Sequence, residues 1–138
     1  MSAEVSYLVH ATEDRDGLAE AVERTLRVSD PEAEELEGHF GNRIIQIRHR
    51  VTGEAATILF DGIVSRLEPE TRHEIVRSLR TMMDEHRVLY FRLDKQALFK
   101  GKLQIGERES VRIRIKPRLF LLKEGAETFY REVLEGRH

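Results

Sequence analysis

The sequence predicts an α+β fold: a two-layer sandwich with a mostly antiparallel sheet and helices packed on one face. Four segments alternate apolar and polar residues, the two-residue period of half-buried strands. Four other segments repeat apolar residues every three or four positions, as amphipathic helices do. Strand-like and helix-like segments do not strictly alternate along the chain, which favours an antiparallel sheet over a parallel one.

The four strands are predicted in EVSYLVH, in RIIQIRHRV, at residues 87–93 and in SVRIRIK. Side chains two positions apart lie on the same side of a strand. One side of these strands is therefore expected to face the core, with Val5, Tyr7, Val9, Ile45, Ile47, His49, Val51, Val111, Ile113 and Ile115. Pro117 ends the last strand because proline has no N–H group to donate.

The helices are predicted from their apolar spacing and their end signals. Asp14 is expected to cap a first helix that runs to about Val28, and Thr52 to cap the second. Pro69 suits the first turn of a third helix that extends through Met83. The last helix lies in LKEGAETFYREVLEG, while the acidic stretch SDPEAEELEG is predicted to be an irregular connection.

The composition predicts a single domain spanning residues 1–138. The hydrophobic share of 40% and the charged share of 35% are typical of a soluble globular protein. There is no cysteine, so disulfides and thiolate metal sites are excluded. Because no apolar run approaches the length of a membrane span or a signal peptide, we expect a cytoplasmic protein without membrane contact.

Charge is distributed unevenly along the chain although the net charge is −2. The first 40 residues contain eleven acidic and three basic residues, whereas residues 86–120 contain ten basic and three acidic ones. A strongly basic segment indicates a polyanionic partner. The alternative is that the acidic and basic segments pair with each other across the fold.

The basic residues of the predicted strands form rows. If the apolar side of the sheet is covered by helices, then Arg48, Arg50, Arg112, Arg114 and Lys116 all lie on the opposite side. Like charges on adjacent strands repel, so an anion lying across them would stabilise the arrangement. A solvated face interspersed with acidic residues from elsewhere is the alternative.

No active site is evident in the sequence. It has neither a G-x-S-x-G motif nor a glycine-rich loop of the phosphate-binding kind, and its histidines form no H-E-x-x-H pattern. His10 and Glu13 are three residues apart, but at a strand end this spacing promises no shared face. We therefore expect no catalytic residues, no metal site and no cofactor, and we expect His10, His39 and His49 to be structural or binding residues.

The stretch LYFRLDKQALFKGKL, residues 89–103, interrupts a strand with three polar residues. We expect Asp94 to cap a short helical turn that Ala97, Leu98 and Phe99 anchor to the core, with Gly101 releasing the chain beyond it. Lys95 and Gln96 would then lie on the rim beside Lys100 and Lys102, where Lys95 would bind a phosphate and Gln96 a ribose or base. In the alternative, Lys95 is solvated and Gln96 bonds the neighbouring backbone.

Four segments together carry a resemblance: YLVHATED, GHFGN, LYFRLDKQALFKGKL and ESVRIRI. In this order, over roughly residues 4 to 120, the chain resembles an archaeal RNA-binding-domain family that is often linked to the exosome. The resemblance implies RNA binding and an α+β sandwich similar to the ribosomal protein that binds the five-S rRNA. It implies no catalytic residues.

The favoured function is therefore that of a non-catalytic RNA-binding protein associated with RNA processing or degradation, or with ribosome-related RNA. A protein-interaction or assembly subunit is the alternative, and an RNA-processing enzyme is the weakest hypothesis. The expected partners are RNA and subunits of an RNA-processing complex, and a homodimer is left open. The predicted RNA-binding residues are Arg48, Arg50, Arg92, Lys95, Gln96, Lys100, Lys102, Arg112, Arg114 and Lys116.

Overall fold

The computed structural model of the protein describes residues 1–38, 41–118 and 125–136. These residues form a five-stranded antiparallel sheet with the strand order β2-β3-β1-β5-β4. Helices cover one face of the sheet, so the predicted two-layer α+β sandwich is confirmed. In chain order the elements are β1 (Ser2–His10), α1 (Arg15–Leu26), β2 (Glu32–Glu37), β3 (Arg43–Thr52), α2 (Glu54–Arg66), α3 (Pro69–Arg77), α4 (Leu79–Met82), β4 (Leu89–Asp94), α5 (Lys95–Phe99), β5 (Ser110–Lys116) and α6 (Ala126–Leu134).

The core lies between the sheet and the helices, on the face that alternation predicts. β1 is the central strand, and its Val5 is the register partner of His49 on β3 and of Ile113 on β5. All three side chains are buried. His49 lies with its Nδ1 2.9 Å from the carbonyl oxygen of Ser29 and its ring stacked on Tyr7, as expected for a structural histidine.

The ends of the first helix follow the sequence signals. The Asp14 carboxylate accepts a hydrogen bond of 3.0 Å from the backbone N–H of Gly17, which satisfies one of the free donors of α1. Leu18, Val22 and Leu26 are buried against the sheet, so the predicted apolar stripe is confirmed. None of the described helices combines the length and the apolar character needed to cross a membrane.

The stretch predicted to be an irregular connection contains a strand, and that prediction is wrong. β2 pairs with β3 over its whole length, from Glu32 opposite Arg48 to Glu37 opposite Arg43. Most of its side chains are exposed, so it lacks the apolar alternation by which a strand is recognised. Pairing with β3 rather than local preference makes this segment a strand.

Two helix boundaries also differ from the predictions. The third predicted helix is interrupted at Ser78, which has φ −101° and ψ 9°, and continues as the short α4. Thr52 is the last residue of β3, and Gly53, with φ 65°, takes the capping position of α2 without a side-chain bond. A glycine suits that backbone angle because it has no Cβ.

The Asp94 turn forms as predicted. Its carboxylate accepts a 2.9 Å hydrogen bond from the N–H of Ala97, and Ala97 and Leu98 are buried. Phe99 is exposed, so the expectation that it anchors the turn is wrong. The part of the last predicted helix at residues 122–124 lies outside the described residues, as do residues 39–40 of the GHFGN motif.

Candidate nucleic-acid interface

The sheet face opposite the helices, here called the outer face, carries the basic residues of β3, β4 and β5. Register partners on antiparallel neighbours point to the same side, so side chains on this face form rows that run across the strands. Two such rows determine how charge is distributed over the outer face. The Glu4 row contains Arg50, Glu4, Arg114 and Tyr90, and the Ser6 row contains Arg48, Ser6, Arg112 and Arg92.

The Glu4 row is partly neutralised by its own carboxylate. The Glu4 carboxylate contacts Arg50 Nε at 3.6 Å and also Arg48 Nε of the neighbouring row at 3.3 Å. Arg114 donates through Nε to the Tyr90 hydroxyl at 3.4 Å, and that hydroxyl donates to Asp84 at 3.3 Å. Arg50 and Arg114 lie on this face as predicted, but acceptors within the protein already bind both of them. The alternative of a face interspersed with acidic residues therefore holds for this row.

The Ser6 row has a hydroxyl where the Glu4 row has a carboxylate. Arg112 and Arg92 are direct register partners on β5 and β4. Arg92 donates to the backbone oxygen of Glu107 at 3.3 Å, and across the described residues Arg112 makes neither an ion pair nor a side-chain hydrogen bond. Two like charges directly opposite each other destabilise a strand pair. Bound phosphate would relieve that repulsion.

A cleft of about 280 Å³ opens over the Ser6 row. Its floor includes Ser6 and Leu8 of β1, with Gln46 on one side and Arg92 and Arg112 on the other. The loop before β5 forms a further wall and adds Arg108. The same loop also contributes Glu107 and Glu109 to the lining. The three arginines, the hydroxyls and the amide can nevertheless bind the anionic, hydrogen-bonding groups of a ligand.

Lys95 does not lie on the rim, and that prediction is wrong. Its side chain is buried, with 3% of the residue exposed. Its ammonium donates to the carbonyl oxygen of Leu8 at 2.6 Å and to both carboxylate oxygens of Glu13 at 3.2 Å, and lies 3.5 Å from Glu109. Lys95 lines the cleft, but these acceptors already bind its ammonium.

His10, Glu13 and Glu109 bring potential metal ligands within 4.8 Å of one another. Nitrogen and oxygen donors of this kind bind divalent cations. The Lys95 ammonium contacts both carboxylates, so the positive charge that a metal would supply is already present. Within the described residues, the Lys95–Glu13 pair is also the ion pair that joins the acidic first 40 residues to the basic segment 86–120.

The remaining predicted residues lie at different distances from this cleft. Lys116 lies at the far end of β5, beside Ser2 and Arg50 in a second depression. Gln96, Lys100 and Lys102 are exposed in and after α5, which packs against α1. None of those three lines the cleft over the Ser6 row, so the structure does not bring them together with Arg92 and Arg112.

Sequence reasoning missed Glu4, Ser6, Leu8 and Gln46. Alternation in β1 carries a signal for Glu4, Ser6 and Leu8, because the residues adjacent to Val5, Tyr7 and Val9 must face the other way. Their neighbours could not be predicted, since the position of β1 between β3 and β5 depends on pairing between distant segments.

Comparison with known proteins assigns this chain to a family. A family model described as RNA binding matches residues 2–117, which include every strand and both rows. The chain belongs to this RNA-binding family. An RNA-binding protein of Pyrococcus abyssi is 32% identical over 141 residues, which cover 96% of this chain and 92% of the relative. An uncharacterised protein of Methanocaldococcus jannaschii is 27% identical over 118 residues, or 80% of this chain and 78% of that one.

Solved structures of archaeal proteins share the fold of this RNA-binding family member. A DUF54 protein of Methanothermobacter thermautotrophicus superimposes with a TM-score of 0.79 and 25% identity, over 96% of both chains. A DUF54-family protein of Sulfolobus solfataricus gives a TM-score of 0.81 at 22% identity over the whole of both chains.

Proposed function

We propose that the protein binds RNA through its outer face, with Arg92 and Arg112 at the centre of the interface. The observation that carries this proposal is the pair itself: two arginines directly opposite each other, at the edge of an open cleft. Arginine forks bind phosphate oxygens in a bidentate geometry. Membership of the RNA-binding family supports RNA as the polyanion.

The other cations of the face flank this centre. Arg48 and Arg50 lie on one side and share the Glu4 carboxylate, while Arg114 and Lys116 continue along β5. Their contribution is long-range attraction of the phosphate backbone. Gln96, Lys100 and Lys102 lie away from the cleft, so we assign them at most a peripheral contact with a longer RNA.

The test is a salt series of RNA binding with the double variant Arg92→Gln, Arg112→Gln. Each lost phosphate contact should make the slope of log affinity against log salt less negative by about 0.7, the value for single strands. We therefore expect the slope to change by about 1.4 and affinity at low salt to fall about tenfold or more.

The matched control is Arg24→Gln, Arg77→Gln, which removes the same charge from exposed positions on α1 and α3. It should leave the slope close to that of the wild type. If the two double variants show the same slope, the assignment of RNA binding to the Ser6 row is wrong.

We further propose that the whole chain acts as one domain and serves RNA processing or degradation, in association with an exosome-linked complex. The family resemblance supports this finer role. Docking of a protein partner, the alternative function, has a surface available: within the described residues, β2 is an outer strand of the sheet and pairs with β3 alone. Unpaired strand edges accept further strands.

A further inference from the structure

We propose that the cleft over the Ser6 row holds one nucleotide of single-stranded RNA, with its phosphate on Ser6, Arg92 and Arg112 and its base on Leu8. This rests on the proposed RNA binding by the outer face. The proposal specifies a binding site for one unpaired nucleotide, here called the nucleotide site, and it therefore implies a preference for single-stranded over duplex RNA.

The phosphate part of the nucleotide site consists of donors with spare capacity. Ser6 is 9% exposed, and its hydroxyl makes no hydrogen bond with another described residue. Ser6 is the register partner of Arg112, which is in turn the partner of Arg92, so the three side chains are consecutive across the sheet. All three line the cleft, and their row contains no carboxylate, so one phosphate can bridge the hydroxyl and the two guanidinium groups.

A comparison of Ser6 with Glu4, its counterpart in the Glu4 row, explains why the nucleotide site is in the Ser6 row. There β1 presents Glu4, whose carboxylate would repel a phosphate and already contacts Arg48 and Arg50. The two rows are otherwise similar, each with an arginine from β3 and an arginine from β5 on either side of β1. The difference between Glu4 and Ser6 directs an anion to one row.

The base part of the nucleotide site is apolar and lies at a suitable distance. Leu8 is 39% exposed on the outer face of the central strand. It follows Ser6 by two residues, a separation of about 7 Å along a strand. That separation suits a nucleotide whose phosphate is at Ser6 and whose base covers Leu8.

Gln46 supplies hydrogen-bonding groups beside that base. It is the register partner of Leu8 on β3 and lines the same cleft. Its Oε1 accepts a 3.2 Å hydrogen bond from Arg48, which fixes the amide and leaves its two N–H groups available. An amide in this place can bond the edge of an unpaired base.

The size and walls of the cleft favour one unpaired nucleotide. Its volume of about 280 Å³ is near the lower limit for small-molecule sites. Lys95 fixes the loop before β5, which forms one wall of the cleft. Its backbone N–H donates to the backbone oxygen of Glu109 at 3.1 Å, and its ammonium contacts both Leu8 of β1 and the Glu109 carboxylate. A duplex keeps its bases paired and stacked inside the helix, so it cannot place the face of a base on Leu8.

The experiment compares the binding of a short single strand and of a duplex of equal strand length by fluorescence anisotropy. Leu8→Ser should lower single-strand affinity about fivefold and leave duplex affinity unchanged. Gln46→Leu should act in the same direction. Ile58→Ser is the matched control, because it removes an exposed branched apolar residue from α2 and should change neither affinity.

Competition with free ligands separates the two parts of the nucleotide site. A nucleoside monophosphate should displace the single strand at lower concentration than inorganic phosphate does. Equal competition by the two ligands, or wild-type single-strand affinity in Leu8→Ser, overturns the base contact while RNA binding through Arg92 and Arg112 still stands. Loss of RNA binding as a whole is tested separately by the arginine variants, so the two failures are distinguishable.

Discussion

The ammonium of Lys95 joins three segments that are distant in sequence. It contacts the end of β1 at Leu8, the turn before α1 at Glu13, and the loop before β5 at Glu109. A buried charge without partners is costly, so its stability depends on these acceptors being in place. Lys95 therefore holds the wall of the cleft without needing to touch the ligand.

We predict that Lys95→Met lowers the free energy of unfolding by about 2 kcal/mol, because the variant removes the cation that pairs with the Glu13 carboxylate and the ammonium that donates to the Leu8 carbonyl. Urea unfolding measures this change, with the exposed Lys100→Met as the matched control. The double variant Lys95→Met, Glu13→Gln should lose less than the sum of its single variants. Strictly additive losses would contradict a coupled pair.

The placement of Lys95 shows where reasoning from local sequence ends. The capping role of Asp94 depends on residues three positions away and was correctly predicted. The burial of Lys95 depends on Glu13, which is 82 positions away, and no local pattern reports that distance. Three consecutive polar residues normally indicate a surface, and here one of them is an internal cation.

At the level of elements, alternation predicted the faces of the strands but not their neighbours. Arg112 and Arg114 face outward as their spacing requires, since that spacing depends only on the pleat. Their different surroundings, Ser6 for one and Glu4 for the other, depend on the register between β1 and β5. The candidate site was therefore predicted as a charged face, whereas the cleft within it follows only from the structure.

The turn that connects α4 to β4 contains an ionisable group. Desolvation acts to raise the pKa of Asp84, but hydrogen bonds from the N–H groups of Val88 and His86, together with the Tyr90 hydroxyl, outweigh it and hold that pKa below its ordinary value of 3.8. A carboxyl whose pKa is lowered by folding stabilises the protein above the unfolded value. That contribution is lost as the pH falls below 3.8 through the folded value.

We predict that Asp84→Asn makes the protein less stable at neutral pH and flattens the loss of stability as the pH falls below 3.8, because the variant has no proton to take up there. Urea unfolding at a series of pH values measures both effects. Glu85→Gln is the control, since Glu85 is the adjacent, exposed acid. If the free energy of unfolding depends on pH in the same way for wild type and Asp84→Asn, the Asp84 carboxylate does not contribute to that dependence.

Across the whole molecule, charge changes from one edge of the sheet to the other. β2 at one edge presents Glu32 and Glu34 on the outer face, as the register partners of Arg48 and Gln46. The opposite half, formed by β5 and β4, presents Arg112 and Arg92. A net charge of −2 gives no overall attraction to RNA. In the proposed binding mode, the gradient would direct the phosphate backbone to the half of the sheet that contains the cleft.

We predict that Glu32→Gln, Glu34→Gln raises RNA affinity about threefold at low salt, because the acids repel the backbone without contacting it. Affinity should increase for single-stranded and duplex RNA alike, since long-range repulsion does not depend on bases. The increase should disappear near 0.5 M salt, where charges are screened over a few ångströms. The control Glu68→Gln, Glu70→Gln makes the same charge change at the start of α3, in the helical layer. If both double variants raise affinity equally, net charge rather than the gradient governs binding. A gain confined to Glu32→Gln, Glu34→Gln supports an RNA path that avoids β2 and crosses β5 and β4.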